Sequence, residues 1–285
     1  MVSRGIYNRQ NEDKSIMLLA AQRQLYRNAK KNNTYYIFFS LAVPLSLSIF
    51  SEYFSEKIIS LQYLLSIVVV FLSLYIEKNI EDSKKLAAFI QQKFDIYVYK
   101  MAWNERIFGK NRDINNEIVI YSKKILKNLD EKQKLNNWYT PISNAKSLTE
   151  CVLSCQKENY YWDVGLRKRF KLVSIVLSAI LIIIIAVIGI FNNESINDLF
   201  SKLFLIFPVL IWLWKTVKIL DKDIETLKEL DKEFNKTNKK TLSDLEDIQN
   251  IIFKHRQNCY LIPECIYNFF KNNDEDIAHR RANIL

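Results

Sequence analysis

The sequence predicts an all-α membrane protein: two transmembrane helical hairpins, four spans in all, with a cytosolic helical domain assembled from the N-terminal, central and C-terminal segments. Three observations carry this. Four stretches hold almost no charge, although charged residues make up 25 % of the 285-residue chain. Glycine and proline number four each, where average usage gives about 20 and 14, so turns are few and helices long. Of the 41 lysines and arginines, 39 lie before residue 34, between 77 and 171, or after 214; Lys57 and Lys202 alone fall in the short connectors.

Residues 1–33 read as a cytosolic juxtamembrane helix. Leu18, Ala21, Leu25 and Ala29 form a stripe that packs on other cytosolic parts or lies at the membrane interface. Residues 34–76 are the first hairpin, with apolar stretches at 34–50 and 58–76. At ~1.5 Å per residue, about 20 residues cross a hydrocarbon core. Residues 77–171 are the central cytosolic region. There Ile80, Ala87, Ile90, Phe94 and Tyr97 continue a helical face, and the chain breaks near Gly109. Asp113 then caps a helix bearing Ile118, Tyr121, Ile125 and Leu129, and residues 138–141 form an ordered loop. Ser147 and Glu150 make a capping box, opening a helix that runs uninterrupted into the third span.

Residues 172–220 are the second hairpin. The third span is 172–191; the fourth, about 199–220, has a strictly uncharged centre of only 203–214, with Lys202 and Lys215 placed to snorkel. Residues 221–285 are C-terminal cytosolic helices. One continues the three-and-four spacing of Val217, Leu220, Ile224, Leu227, Leu230 and Phe234; the next carries Leu242, Leu245, Ile248 and Ile252.

The distribution of basic residues places both termini and the central segment in the cytosol. No secretory leader is expected, because about 30 polar residues precede the first apolar run. The net charge of +10 then reflects topology and an anionic inner leaflet, and neither DNA nor RNA is an expected partner. The four cysteines fall in cytosolic regions and should stay reduced. Cys151, Cys155, His255 and Cys259 are the residue types of a zinc site, but their spacing fits no compact zinc motif. No metal and no cofactor is expected. Phosphate loops, metalloprotease and nucleophile-elbow motifs are missing, so no catalytic residue is assigned and the chain does not read as an enzyme.

Large aromatic and amide side chains do stand out in polar surroundings: Trp103 and Asn104, Trp138 and Tyr139, and the run Gln156, Asn159, Trp162, Asp163 and Arg167. Trp162 lies about 15 Å along a helix from the third span, too far for an interfacial belt. Gln156, Asn159, Asp163 and Arg167 share one helix face. A base-containing phosphodiester ligand needs aromatic planes, amides and cations, but core packing and interhelical hydrogen bonding use the same residues. His255 and Arg256 are further candidates. Asp163 and Arg167, at i,i+4, read on their own as a surface ion pair. Within the second span, Gln62, Ser66 and Ser73 share a face that either lines a path between copies of a homo-oligomer or bonds a neighbouring helix. A membrane scaffold recruiting a cytosolic protein is the alternative function. A small transporter ranks last, since Pro44 and Pro208 do not occupy corresponding spans.

Several short motifs occur in order along nearly the whole chain: Gln91-Gln92-Lys93-Phe94-Asp95, Met101-Ala102-Trp103-Asn104, Asn137-Trp138-Tyr139, Ser154-Cys155-Gln156, Tyr161-Trp162-Asp163 and Phe253-Lys254-His255-Arg256. Together they resemble the SMODS-associated four-transmembrane effector family of bacterial CBASS antiphage operons. The resemblance implies a multi-pass protein of the bacterial inner membrane. A nucleotidyltransferase of the same operon would make a cyclic oligonucleotide on infection. The effector would bind it in the cytosolic domain, oligomerise, and disrupt or perforate the lipid bilayer, causing abortive infection.

Overall fold

The computed structural model describes residues 2–50, 56–140, 147–192, 195–236, 240–264, 266 and 269, with side chains described except at 2–4, 56–60, 62, 159, 161 and 162. Among these, all regular structure is helical. The helices are α1 (Val2–Gln10), α2 (Asp13–Ile49), α3 (Glu56–Tyr99), α4 (Glu105–Phe108), α5 (Asn115–Leu126), α6 (Leu129–Gln133), α7 (Leu148–Phe191), α8 (Ile196–Leu205), α9 (Phe207–Asn235) and α10 (Leu242–Asn258).

Few breakers give long helices. The N-terminal stripe and the first apolar stretch form one 37-residue helix, α2, rather than two elements. α3 and α7 each run 44 residues, about 66 Å. That is twice a hydrocarbon core, so each helix has an apolar half and a polar half. α7 starts at the expected capping box: Ser147 Oγ accepts Glu150 N–H, and Glu150 accepts Ser147 N–H. Asp113 is not the cap expected of it: α5 has Ile114 at its N-cap position, and Asp113 Oδ1, one residue earlier, accepts the Asn115 amide at 2.9 Å. Gly109, at φ 78°, ends α4 in a conformation that favours glycine. A capping box of Thr241 and Asp244 opens α10.

Two helices, α3 and α7, are long and apolar enough to cross a membrane; the α8–α9 pair makes a third if counted as one span. That pair differs from the continuous fourth span expected. It bends by 50° at Ile206. Pro208 sits in the first turn of α9; it lacks an N–H and its ring would clash with the Phe204 carbonyl, so the helix restarts there. The apolar halves turn large side chains outward. On α3 these include Leu64, Val68 and Phe71, and on α7 Leu172, Ile183 and Ile190. Inside the first hairpin, Tyr36, Ser40, Pro44 and Ser48 of α2 are buried at four-residue spacing; Ser40 bonds α3 and Ser48 bonds α8.

The polar halves build one apolar core from three distant segments. Ile6, Leu19 and Leu25 come from the start of the chain, Ile90, Phe94, Tyr99 and Ile125 from its middle, and Leu227, Phe234, Leu245 and Ile248 from its end. No single segment could bury enough surface to stand alone.

A basic aromatic cleft and the polar networks behind it

The polar end of α3 places Lys93 and Tyr97 one helical turn apart on one face, and Lys100 follows immediately past the end of the helix. Arg9 of α1, Lys14 of α2, and Trp103, Asn111 and Asn115 of the following segment close around them. The result is an open cleft of about 940 Å³, the size of an ordinary small-ligand site. Among the described residues its lining carries four basic side chains and no carboxylate.

The walls are held firmly. Trp103 Nε1 donates to the Gly109 carbonyl at 2.9 Å, and its ring meets Phe89 and Phe108 edge-on at 5.1 and 5.2 Å. Lys93 Nζ donates to Asn111 Oδ1 at 2.7 Å and to the Arg112 carbonyl at 2.9 Å, and stands 5.8 Å from the Trp103 ring. Lys14 lies 4.6 Å above the Tyr97 ring, and Tyr97 donates its phenol to Glu12. Arg9 Nε donates to the Val98 carbonyl at 3.0 Å. Partial burial lowers the pKa of Arg9 and Lys93, because these cations are incompletely hydrated. An incoming anion would relieve that cost. A second cleft of about 590 Å³ shares Ile96, Met101 and Trp103 with the first and is lined by Asn104, Glu246, Asp247 and Asn250. Trp103 is thus a partition with one basic side and one acidic, amide-rich side.

Behind the cleft, Asp95 is fully buried. It accepts Tyr139 Oη at 2.6 Å, Gln249 Nε2 at 2.9 Å and an Arg256 guanidinium nitrogen at 2.5 Å. Gln249 in turn bonds Gln92 at 2.9 Å and Gln156 at 3.0 Å. Gln10 bonds both the amide and the carbonyl of Tyr139. Burial and the Asp95 charge push the Tyr139 phenol well up; burial would lower the Arg256 pKa, but Asp95 raises it. Asp95 therefore ties α3 directly to α10 and the 138–139 loop, and Gln156 and Gln10 extend the network to α7 and α1.

A second network joins α7, α9 and α10. Arg167 is 4 % exposed, so its pairing with Asp163 is not the surface ion pair expected. Its Nε lies 2.9 Å from Asp163 Oδ2 and its other end binds Asp223. His255 Nε2 sits 2.7 Å from the same Asp163 oxygen. Burial favours the neutral acid, yet Arg167 and His255 hold Asp163 below the usual carboxylate range; burial wins at Asp223 and raises it.

The predicted site residues therefore divide. Trp103 and Asn104 line clefts; Tyr139, Gln156 and Arg256 belong to the Asp95 network, and Arg167 and His255 to the Asp163 network. Trp138 is half-buried against the main core. The side chains of Asn159, Trp162 and Gln62 lie outside the described residues. Ser73 Oγ is 3.2 Å from Ser40 Oγ, bonding α3 to α2, while Ser66 is buried with no partner among the described residues. Sequence reasoning missed Arg9, Lys14, Lys93, Tyr97 and Lys100. The i, i+4, i+7 spacing of the last three was the available signal, but Tyr97 read as part of the apolar face. Cys151, Cys155 and Cys259 are buried, and no group able to hold a metal occurs among the described residues.

The SMODS-associating 4TM effector domain model matches residues 4–285. A protein of Bacillus cereus (strain VD146), described as a "Probable CBASS effector molecule", is 27 % identical over 94 % of this chain and 94 % of its own length. No solved structure matches.

Proposed function

Since the chain belongs to the SMODS-associating 4TM effector family, we propose that it is a CBASS antiphage effector that binds a cyclic oligonucleotide in the basic aromatic cleft and then breaches the inner membrane. The cleft is the observation that carries the ligand half. Its four cations match the phosphodiesters of such a ligand, Tyr97 and Trp103 offer ring faces to bases, and Asn111 and Asn115 offer amides. Binding and displacement suffice; no catalytic step or cofactor enters the reading.

In this proposal four spans cross the bilayer: residues 34–49 of α2, the apolar halves of α3 and α7, and the bent α8–α9 pair. Both termini and the polar core face the cytosol, as the basic residues require. One four-helix chain is filled by side chains, so a passage needs several copies. Ser73 bonds α2 within the same chain, which leaves Gln62 and Ser66 as the proposed lining of that path. The test uses full-length protein in dye-loaded liposomes, challenged with cyclic di-AMP, 3′,3′-cyclic GMP-AMP and cyclic tri-AMP. Leakage is expected with one ligand class, together with saturable binding. Leakage unaffected by every nucleotide would refute the ligand half. A membrane scaffold is the second reading, favoured by exposed Val119, Ile120 and Leu129 on α5 and α6; it predicts binding without leakage.

A further inference from the structure

Residues 259–262 follow α10 as an extended strap, each only 6–8 % exposed. A buried stretch without secondary structure must find partners for its backbone groups elsewhere. Here all four long helices supply them. Asn33 Nδ2 of α2 donates to the Leu261 carbonyl at 2.6 Å, and Lys84 Nζ of α3 donates to the Cys259 carbonyl at 2.8 Å. Arg167 of α7 donates to the Tyr260 carbonyl at 3.0 Å, while Asp223 of α9 accepts the Tyr260 amide at 2.9 Å. The Tyr260 ring stacks on Phe170 of α7 at 5.4 Å.

The tethers share a level as well as a target. Asn33 immediately precedes the first apolar stretch, and Lys84 follows the second. Arg167 precedes the third, and Asp223 follows the fourth. The strap thus sits where the four helices pass from their polar to their apolar halves. α10 has no apolar half; its link to that level is the strap and the His255–Asp163 contact. At its other face α10 touches the cleft wall through rings: Trp103 meets Phe108 at 5.2 Å, and Phe108 meets Phe253 of α10 at 5.0 Å.

We propose that strap residues 259–262 are a coupler, through which displacement of α10 moves the entry points of all four long helices together. The coupling follows from the strap geometry; only the identity of the trigger rests on the cleft being the nucleotide site. A shared backbone anchor differs physically from four separate side-chain contacts. Loosening one tether frees the strap, and a freed strap weakens the other three.

Position between two sites is not coupling until an energetic effect is measured. The test is hydrogen–deuterium exchange of the full-length chain in detergent micelles without ligand, comparing wild type with Lys84→Met and Asn33→Leu. Neither residue lines the cleft. Exchange is expected to rise at least tenfold at 259–262 and at the tethered turns of all four helices, not only the one substituted. Lys84→Arg, which keeps a donor, should return close to wild type. A rise confined in both variants to the substituted helix would overturn the coupler. Leakage by wild type under the same nucleotide panel is scored separately, so a cleft that binds nothing leaves the exchange result decisive.

Discussion

Tyr139 donates its phenol to Asp95 at 2.6 Å, fixing the 138–139 loop against the buried side of α3 directly behind the cleft wall. Both groups are 0–1 % exposed, so neither can trade this bond for water. Tyr139→Phe would leave one Asp95 oxygen short of a partner while Arg256 and Gln249 keep the other. The expected loss is about 1–3 kcal/mol, read as a lower thermal midpoint in detergent, with the helical signal of the folded state unchanged.

Lys93 faces the cleft on a helix whose buried side it does not share. Lys93→Ala removes the bonds to Asn111 and the Arg112 carbonyl, so a stability loss of about 1 kcal/mol is expected, with the fold retained. A lost charge-assisted contact to a phosphate would cost about 1.5–3 kcal/mol, or roughly 10- to 150-fold in affinity. Calorimetry with the nucleotide that binds wild type checks this. Unchanged affinity in both Lys93→Ala and Lys14→Ala would move the site out of the cleft.

Acid should weaken the Asp163 network in a defined direction. Arg167 and His255 depress the folded-state pKa of Asp163 below its unfolded value. Its stabilisation is therefore present above the unfolded value, near pH 4, and is lost as pH falls through the folded value. Asp223, which shares Arg167, is raised by burial; its contribution has the opposite sign, present at low pH and lost as pH rises through its folded value. Thermal midpoints between pH 3 and 7 should thus fall less steeply toward acid in Asp163→Asn than in wild type, and more steeply in Asp223→Asn.

Ser40 and Ser73 touch across the first hairpin, with their hydroxyls 3.2 Å apart. Replacing both with cysteine places two sulfurs within bridging reach. Mild oxidation in membranes should give an intramolecular disulfide and a faster-migrating monomer on a non-reducing gel. Covalent dimers as the main product would instead put this face between copies.

Orientation has its own check. Single-cysteine probes at Ser195, on the connector that the proposed topology turns outward, should react with an impermeant maleimide on intact spheroplasts. Probes at Asn104 and Asn136 should react only after lysis. The reverse pattern would invert the topology.

Helices announce themselves through local chemistry, and the sequence could be read at that level. The capping box at Ser147, the three-and-four spacing through Phe234, and the scarcity of glycine and proline specify elements by contacts within a few residues. The site is a different matter. Arg9, Lys14, Lys93 and Trp103 converge because α1, α2, α3 and the loop after it dock together, and nothing in their spacing says so. Tyr97 sits one turn from buried Phe94, so periodicity alone assigned it to the core.

By itself, then, the sequence determined the helical class, the apolar stretches and the two-sided distribution of basic residues, because hydropathy and charge act position by position along the chain. Tertiary structure alone decided which polar residues became core and which became surface. Arg167, His255 and Arg256 carry the chemistry of a ligand site, yet each is enclosed by a carboxylate from a distant helix: Asp223 or Asp163 for the first two, Asp95 for the third. A buried charge is tolerable only with such a partner, and the partner lies 56 to 161 residues away in the chain. Among the described residues neither Lys93 nor Lys14 forms an ion pair with a buried carboxylate, and both stay at the cleft.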